Sequence, residues 1–346
     1  MISNIELGSD VRVVTHDGYL KSCDDLIPGD KLLSSNSTTL TVDKVGYRID
    51  NGYKVIPTKG VPFVLGLDSK LRLTCNSNKS AGFFKDQEYA LTVPSLVGQT
   101  KTAKHTLKCF RTAVEFDEPQ TLSIDPYFLG LWLGDGSSAN LMITNQDPEI
   151  EQYLRQFAQL HNLVVRDARN SHQSCPHWFF SHVDNKEFAN IFRSLSLFNN
   201  KHIPQSYLTA PRKDRLELLA GLLDTDGYLH HGHMEIAVKN DTLANGIILL
   251  ARSLGFFVAN KIKWVRLNGW EEARPYSRVT ISGDLELIPT KLPRRQCATR
   301  RQIKNVLRTG FKLEYTIETP LVNLTLRGNG DVLTEDFINI ATNKCD

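Results

Sequence analysis

The sequence predicts a multidomain protein: an all-β domain formed by both ends of the chain, interrupted by an α+β domain with an internal pseudo-twofold repeat. Three observations predict this. Short apolar runs broken by turn residues fill the first hundred residues and return in the last thirty or so. From about Asp117 the texture changes to helix-length apolar segments alternating with strand-like runs. The middle also contains one stretch twice. "YFLGLWLGDGS" begins at Tyr127 and "LLAGLLDTDGYL" at Leu218, and laying Gly130 on Gly221 puts Asp135 on Asp226. At 346 residues the chain is long enough for two or three cores, and 41% hydrophobic with 23% charged residues excludes disorder as the default.

The elements follow in order. "DVRVVTHDGYLKSCDDLIPGDKLLSS" is short apolar runs separated by the turns "HDG" and "IPGD", and "LTVDKVGYRI", "YKVIPT", "PFVLGL" and "KLRLTC" continue the pattern without helical periodicity. This gives a β region over 1–115. After the Pro-containing connection "EFDEPQTLSIDP", helices are expected at 127–134, 148–161, 185–195, 215–223 and 241–254. The strand-like runs between them, such as "MEIAVK", "FVANKIKWV" and "RVTISG", come in antiparallel-looking pairs, so α+β fits 116–308 better than a parallel sheet. The segment 309–346 returns to β around a Gly-Asn-Gly turn.

Composition narrows the function. No run approaches eighteen apolar residues, and "MISNIELGSD" lacks the basic flank and apolar core of a secretory signal, so an intracellular protein is expected. Six cysteines without a C-x-x-C pair make neither a disulfide scaffold nor a zinc ribbon. "HQSCPH" offers His172, Cys175 and His177 but no fourth ligand nearby, which favours a polar loop. From Lys291 to Lys312 there are eight Lys or Arg and no acid. A solvated face explains such a run as well as a nucleic-acid contact does, where clustered cations displace counterions from phosphates.

The repeated stretch carries chemistry. Gly130 on one helix and Ala220 with Gly221 on the other let two backbones approach, and Asp135 and Asp226 then lie side by side at the C-terminal ends, followed by glycines suited to a left-handed exit. Two carboxylates beside partially negative helix ends repel each other. Divalent metals bound by carboxylate, main-chain carbonyl and water oxygens offset that cost, and Mg²⁺ suits such hard sites. Metals roughly 4 Å apart can activate water and stabilise the leaving oxygen of a phosphodiester. Two ordinary helix ends are the bland alternative, and the doubling at domain-scale separation outweighs it. A calcium loop starting at Asp224 does not fit, because Tyr228, His230 and Gly232 replace oxygen ligands.

With "LGLWLGDG" and "LAGLLDTDGY" in paired positions, the chain resembles the LAGLIDADG homing endonucleases. "LRLTCNSNK", "NKHIP" and "LARSLG", in that order around the motifs, extend the resemblance to the intein-encoded and mating-type-switching members known from yeast, and the flanking β regions resemble the Hint splicing domain of inteins. The resemblance implies a monomeric, Mg²⁺-dependent enzyme, with Mn²⁺ able to substitute, that cuts both strands of double-stranded DNA at a long specific site and leaves short 3′ overhangs. It implies that Asp135 and Asp226 hold metal and cut one strand each, with main-chain oxygens at Gly134 and Thr225 completing the sites. Lys201 falls on a lysine beside one active centre, and Lys291, Arg294 and Arg295 are all candidates for the matching base, which would stabilise charge on the phosphate. The family lays antiparallel strands in the major groove. Here "ANLMITNQ", "EIAVKN", "NKIKWVRL" and "SRVTISG" are the expected saddle, with Lys239, Lys261, Lys263, Arg266, Arg278, Arg300 and Arg301 as contacts.

Splicing is expected to be lost. An intein needs Cys or Ser at its start, a Thr-x-x-His motif, and His-Asn before a final Cys, Ser or Thr. Here Ser3 or Asn4 stands at the first position, Lys79 at the histidine, and Ala341 with Thr342, or Asn343, at the end. With Asn4 at the first position, an amide cannot undergo the acyl shift, and Lys79 is a poor proton-transfer group at neutral pH. Two alternatives remain: a splicing-competent intein with atypical junctions, and a DNA-binding maturase or regulator without cleavage. In a eukaryotic host the nucleus is the expected location.

Overall fold

The computed structural model describes residues 1–80, 82–116, 121–182, 187–266, 271–299 and 305–344. These fall into two compact units, Met1–Asp117 with Ile303–Asp346, and Glu118–Gln302.

The first unit is built on β1 (Ile2–Gly8), β2 (Lys31–Leu33), β3 (Thr39–Pro57), β4 (Phe63–Gly66), β5 (Lys70–Cys75), β6 (Glu88–Thr92) and β7 (Leu107–Phe110). It is not all-β as expected. Two short helices, Val93–Val97 and Lys101–Thr106, lie between β6 and β7. Each is started by a threonine hydroxyl, Thr92 accepting from Ser95 N and Thr100 from Ala103 N, and neither is long enough to display a helical period.

The second unit contains two copies of one arrangement. In the first, α1 (Pro126–Asp135) is followed by β8 (Met142–Thr144), α2 (Pro148–Leu160), β9 (Leu163–Asp167), β10 (His177–His182) and α3 (Glu187–Ser194). The expected start of this third helix, at 185, lies outside the described residues. In the second copy, α4 (Arg212–Asp226) is followed by β11 (Gly227–His230), β12 (His233–Val238), α5 (Asp241–Ser253), β13 (Phe257–Val265) and β14 (Arg274–Ser282). The sheets run β8-β10-β9 and β11-β12-β14-β13, both antiparallel. A single bridge between Gly136 and Ile143 stands where β11 lies in the second copy. Side chains alternate across each sheet. Ile143, Trp178 and Phe180 in the first, and Met234, Ile236, Val238, Val279 and Ile281 in the second, are buried on one face. The opposite face is left free of that core.

The chain then returns to the first unit through β15 (Arg308–Thr309), β16 (Phe311–Arg327), β17 (Val332–Leu333), β18 (Asn339–Ala341) and β19 (Asn343–Lys344). Strand β16 pairs with β1 and along most of β3, and β19 pairs with β1, so residues from both ends of the chain share one sheet. A second sheet, β15-β7-β5-β18-β17 with β6 on β5, faces a shared core that includes Ile5, Leu7, Leu65, Leu71, Leu324 and Ile340.

Candidate functional site

Helix α1 starts on Asp125, whose carboxylate accepts from Phe128 N at 2.9 Å, with Pro126 in the first turn where no N–H is needed. Residues Tyr127–Leu133 of α1 and Leu218–Asp224 of α4 are all buried. The two helices touch backbone to backbone. A Cβ on Gly130 would lie 2.4 Å from Leu218 O and 2.9 Å from Gly221 Cα, and a Cβ on Gly221 would lie 2.3 Å from Tyr127 O. Only glycine fits either position. One turn on, a Cβ at Gly134 would lie 2.0 Å from Thr225 Oγ1 and 3.5 Å from Asp226 Oδ2, so the helices run parallel and end together with both acids at the shared end.

The exits differ from expectation. Gly136 (φ −74°, ψ 150°) and Gly227 (φ −74°, ψ 152°) are extended, not left-handed. Glycine is required because each N–H folds back onto the helix, Gly136 onto Trp132 O and Gly227 onto Leu223 O. A Cβ there would lie 2.2 Å and 2.4 Å from those same oxygens.

Electrostatics separate the two acids. Burial pushes Asp135 up to about 6; a hydrogen bond from Asn145 Nδ2 (2.9 Å) opposes this, the Asp226 charge adds to it, Lys201 opposes and Asp147 adds. Asp226 is raised by burial against the pull of Lys201 and Arg295. Among the described residues Lys201 is thus the cation acting on both carboxylates, and burial lowers its own pKa while Asp226 and Asp135 raise it. Its ammonium donates to Leu133 O and Gly134 O, both at 3.0 Å, capping carbonyls at the end of α1, and lies 5.3 Å from the Trp132 ring centre.

The other candidate bases separate by direction. The Lys291 ammonium sits over Tyr127 (4.3 Å) and Tyr153 (5.3 Å), away from both motif acids. Arg294 is held by a bidentate pair with Asp147, 2.6 Å in each arm. Arg295 is the one whose charge acts on Asp226, and its Nε is buried without a partner.

The donor set suits a hard divalent cation. Among the described residues no group of three His, Cys, Asp or Glu side chains converges on a metal position, which includes His172, Cys175 and His177. A cation at the helix ends would therefore be held by the two carboxylates, main-chain carbonyls and water, all oxygen. The Gly134 carbonyl already accepts from Lys201 and keeps a second lone pair. The Thr225 hydroxyl turns back to donate toward Gly221 O (3.1 Å) and Leu222 O (2.9 Å).

Along the second sheet, Lys261 and Arg278 are direct cross-strand partners, and Lys263 lies two residues on from Lys261. Period two puts all three on the face opposite the core. Lys239 follows β12 and Arg266 follows β13, both exposed. Glu235 lies 3.8 Å from Arg278. Arg300 and Arg301 lie outside the described residues. Three residues escaped the sequence reading. Asn145 orients Asp135 and carries no motif. Arg166, stacked 5.3 Å over Phe179 on the open face of the first sheet, lies outside the strands expected to form the saddle. Asp224 stands inside the repeated motif, but the first copy has Leu133 in its place, so comparing the copies gave no role.

In the first unit, Ser3 is buried opposite Lys344, and Asn4 lies opposite Asn343. The Oδ1 atoms of Asn4 and Asn343 are buried without partners, while Asn343 Nδ2 donates to Asp68 O at 2.8 Å. Ala341 pairs with Lys70, and Thr342 donates to Gly330 O. Lys79 lies in a two-residue strand paired with Phe84.

Residues 202–306 match the homing endonuclease family model. That segment includes the second motif, α4, and the sheet bearing Lys261 and Arg278. The replicative DNA helicase DnaB of Mycobacterium intracellulare is 37% identical over 145 residues, 41% of this chain and 21% of the helicase. A DNA polymerase of Thermococcus kodakarensis is 28% identical over 124 residues, 35% of this chain and 7% of the polymerase. The chain thus spans about a fifth of the one relative's length and far less of the other's. Among solved structures, mesophilic variants of the homing endonuclease I-DmoI give 16% identity and a TM-score of 0.33, covering 46% of this chain and 87% of theirs. I-DmoI in complex with DNA and Mn gives 16% and 0.34 over 46% and 88%.

Proposed function

We propose that this protein is a site-specific DNA endonuclease of the LAGLIDADG type that makes a double-strand break with two aspartate centres, one per strand. The observation that carries the reading is the meeting of Asp135 and Asp226 at the paired ends of two helices in glycine contact, with Lys201 acting on both. The homing endonuclease match over 202–306 supports it. Mg²⁺, or Mn²⁺ in its place, bound between these oxygens would supply an activated water and neutralise the leaving oxygen. Lys201 and Arg295 offer positive charge where the phosphate gains negative charge. The cationic open face of the second sheet, led by Lys261, Lys263 and Arg278, suits the phosphates and base edges of a major groove. Because both halves belong to one chain, a monomer suffices, and helix ends meeting over the minor groove would leave short 3′ overhangs. A nuclear location is proposed for a eukaryotic host.

The first unit is proposed to be a Hint-like domain of intein origin that no longer splices. Short matches to a helicase and to a polymerase, proteins with different named activities, are what an inserted element shared between unrelated hosts produces. A splicing-competent second reading draws on the pairing of Ser3 with Lys344, which brings opposite ends of the unit together. The whole chain placed between two tagged carriers tests it: ligated carriers would restore splicing.

The main test is cleavage of supercoiled plasmids bearing randomised inserts, in Mg²⁺ and in chelator. Wild type should linearise a subset only with metal, and Asp226→Asn should stop at the open circle with binding retained. Tight binding without any cutting would replace this reading with that of a maturase or regulator.

A further inference from the structure

We propose that Asp224 is a positioning residue that anchors the segment 290–296 so that the Arg295 charge acts on Asp226, making the two strand-cutting centres unequal in construction; this rests on the endonuclease reading above. Asp224 is 0% exposed. Its carboxylate accepts from Lys291 N (2.7 Å), Leu292 N (3.2 Å) and Tyr127 OH (2.6 Å), so its oxygens are already committed. Burying an acid is costly even when it is bonded, and an apolar side chain of similar size would fill the space more cheaply. The first copy does just that with Leu133, the equivalent of Asp224 when Gly130 is laid on Gly221. Asp224 therefore serves something the first copy lacks, and what it grips is the backbone leading into Arg295.

The rest of that segment is held as well. Arg294 is pinned by Asp147 in two bonds of 2.6 Å, and Gln296 Nε2 donates to Thr290 O at 3.2 Å. The turn Pro293–Arg295 then presents two adjacent guanidiniums, one consumed by Asp147 and one with a buried, unpartnered Nε among Asp226, Asp224 and Asp147. An unmade bond at a buried donor is costly and marks a group kept for another partner. A phosphate oxygen has the charge and acceptor geometry for it. Lys201 needs no such anchor, because it is fixed directly on Leu133 O and Gly134 O. The cation shared by both acids is thus clamped to a helix end, whereas the additional cation acting on Asp226 is carried on a segment tied down by Asp224.

The test compares strands on a supercoiled plasmid recovered from the randomised pool by wild-type cutting in Mg²⁺. Asp224→Asn keeps shape but loses charge and acceptor strength. Expected is a 10- to 100-fold slowing of one strand only, seen as accumulating open circle, with the other strand at the wild-type rate. Hydrogen exchange at the Lys291 and Leu292 amides should speed up while the melting of the unit stays within a few degrees. Because Asp224 acts through Arg295, the variant carrying both Asp224→Asn and Arg295→Ala should be no slower than Arg295→Ala alone. Equal slowing of both strands, or multiplied losses in the double variant, overturns the proposal. If Asp224→Asn does not fold, Arg295→Ala alone must slow a single strand, and slowing of both or neither overturns it. A wild type that cuts no member of the pool removes the endonuclease reading and this proposal with it, whereas normal cutting of both strands by Asp224→Asn removes only the proposal.

Discussion

Replacing Asp135 by Asn should stabilise the metal-free protein while ending cleavage of one strand. The carboxyl is pushed from 3.8 up to about 6, first by burial and further by Asp226, so the folded state holds its proton more tightly than the unfolded chain does. The sign follows from linkage. Protonation favours folding, so the contribution of this one carboxyl is most favourable below about pH 4, falls as pH rises through 6, and its full penalty stands at pH 7.5. Two pKa units correspond to roughly 3 kcal/mol, which partial exposure of the carboxyl reduces to about 1–2 kcal/mol. Asn removes the charge and retains an oxygen to accept from Asn145. All four tryptophans lie between residues 118 and 302, so intrinsic fluorescence follows the second unit alone. In chelator at pH 7.5, Asp135→Asn should melt about 3–6 °C above wild type, and the two should converge at pH 4. Mg²⁺ should raise the wild-type midpoint by more than the variant's, which keeps only the Asp226 centre. A variant no more stable than wild type at pH 7.5, or a difference that persists at pH 4, would refute the reasoning.

Gly221→Ala places a Cβ 2.3 Å from Tyr127 O and 2.8 Å from Leu131 N, contacts with backbone that cannot swing aside. It should cost at least about 3 kcal/mol in a denaturant melt. Gly246→Ala within α5, whose Cβ would have Ile203 side-chain atoms at 3.4 Å as its nearest neighbours, should be neutral or gain up to about 1 kcal/mol. Replacing Lys261 and Lys263 together by Ala should lower the slope of log binding constant against log salt by about two, and an unchanged slope would take these lysines off the DNA.

What the sequence makes legible depends on how local the cause is. The motif helices can be read because Gly130 and Gly221 recur at the same offset from Asp135 and Asp226, and a backbone contact leaves that mark in both copies. The helices Val93–Val97 and Lys101–Thr106 are missed because their cause is a single capping hydroxyl each, lost among strand-like neighbours. Gly136 and Gly227 are misread because glycine answers two demands, positive φ and absence of Cβ, and composition does not say which applies. No sequence pattern separates Lys291, Arg294 and Arg295, since the partners that hold the first two, Tyr127, Tyr153 and Asp147, lie far away in sequence. Asn145 is invisible for the same reason.

The pairing of β1 with β19 has a thermodynamic meaning for any protein that carries this unit internally. Neighbouring strands lie about 5 Å apart, so a chain entering at Ser3 and leaving at Lys344 meets a gap that one or two residues would span. An unfolded insertion of about 340 residues would charge its carrier some 4–5 kcal/mol more in loop-closure entropy than a two-residue link. Once folded, such an insertion would close its own loop, and a carrier would experience hundreds of added residues as little more than a short surface turn.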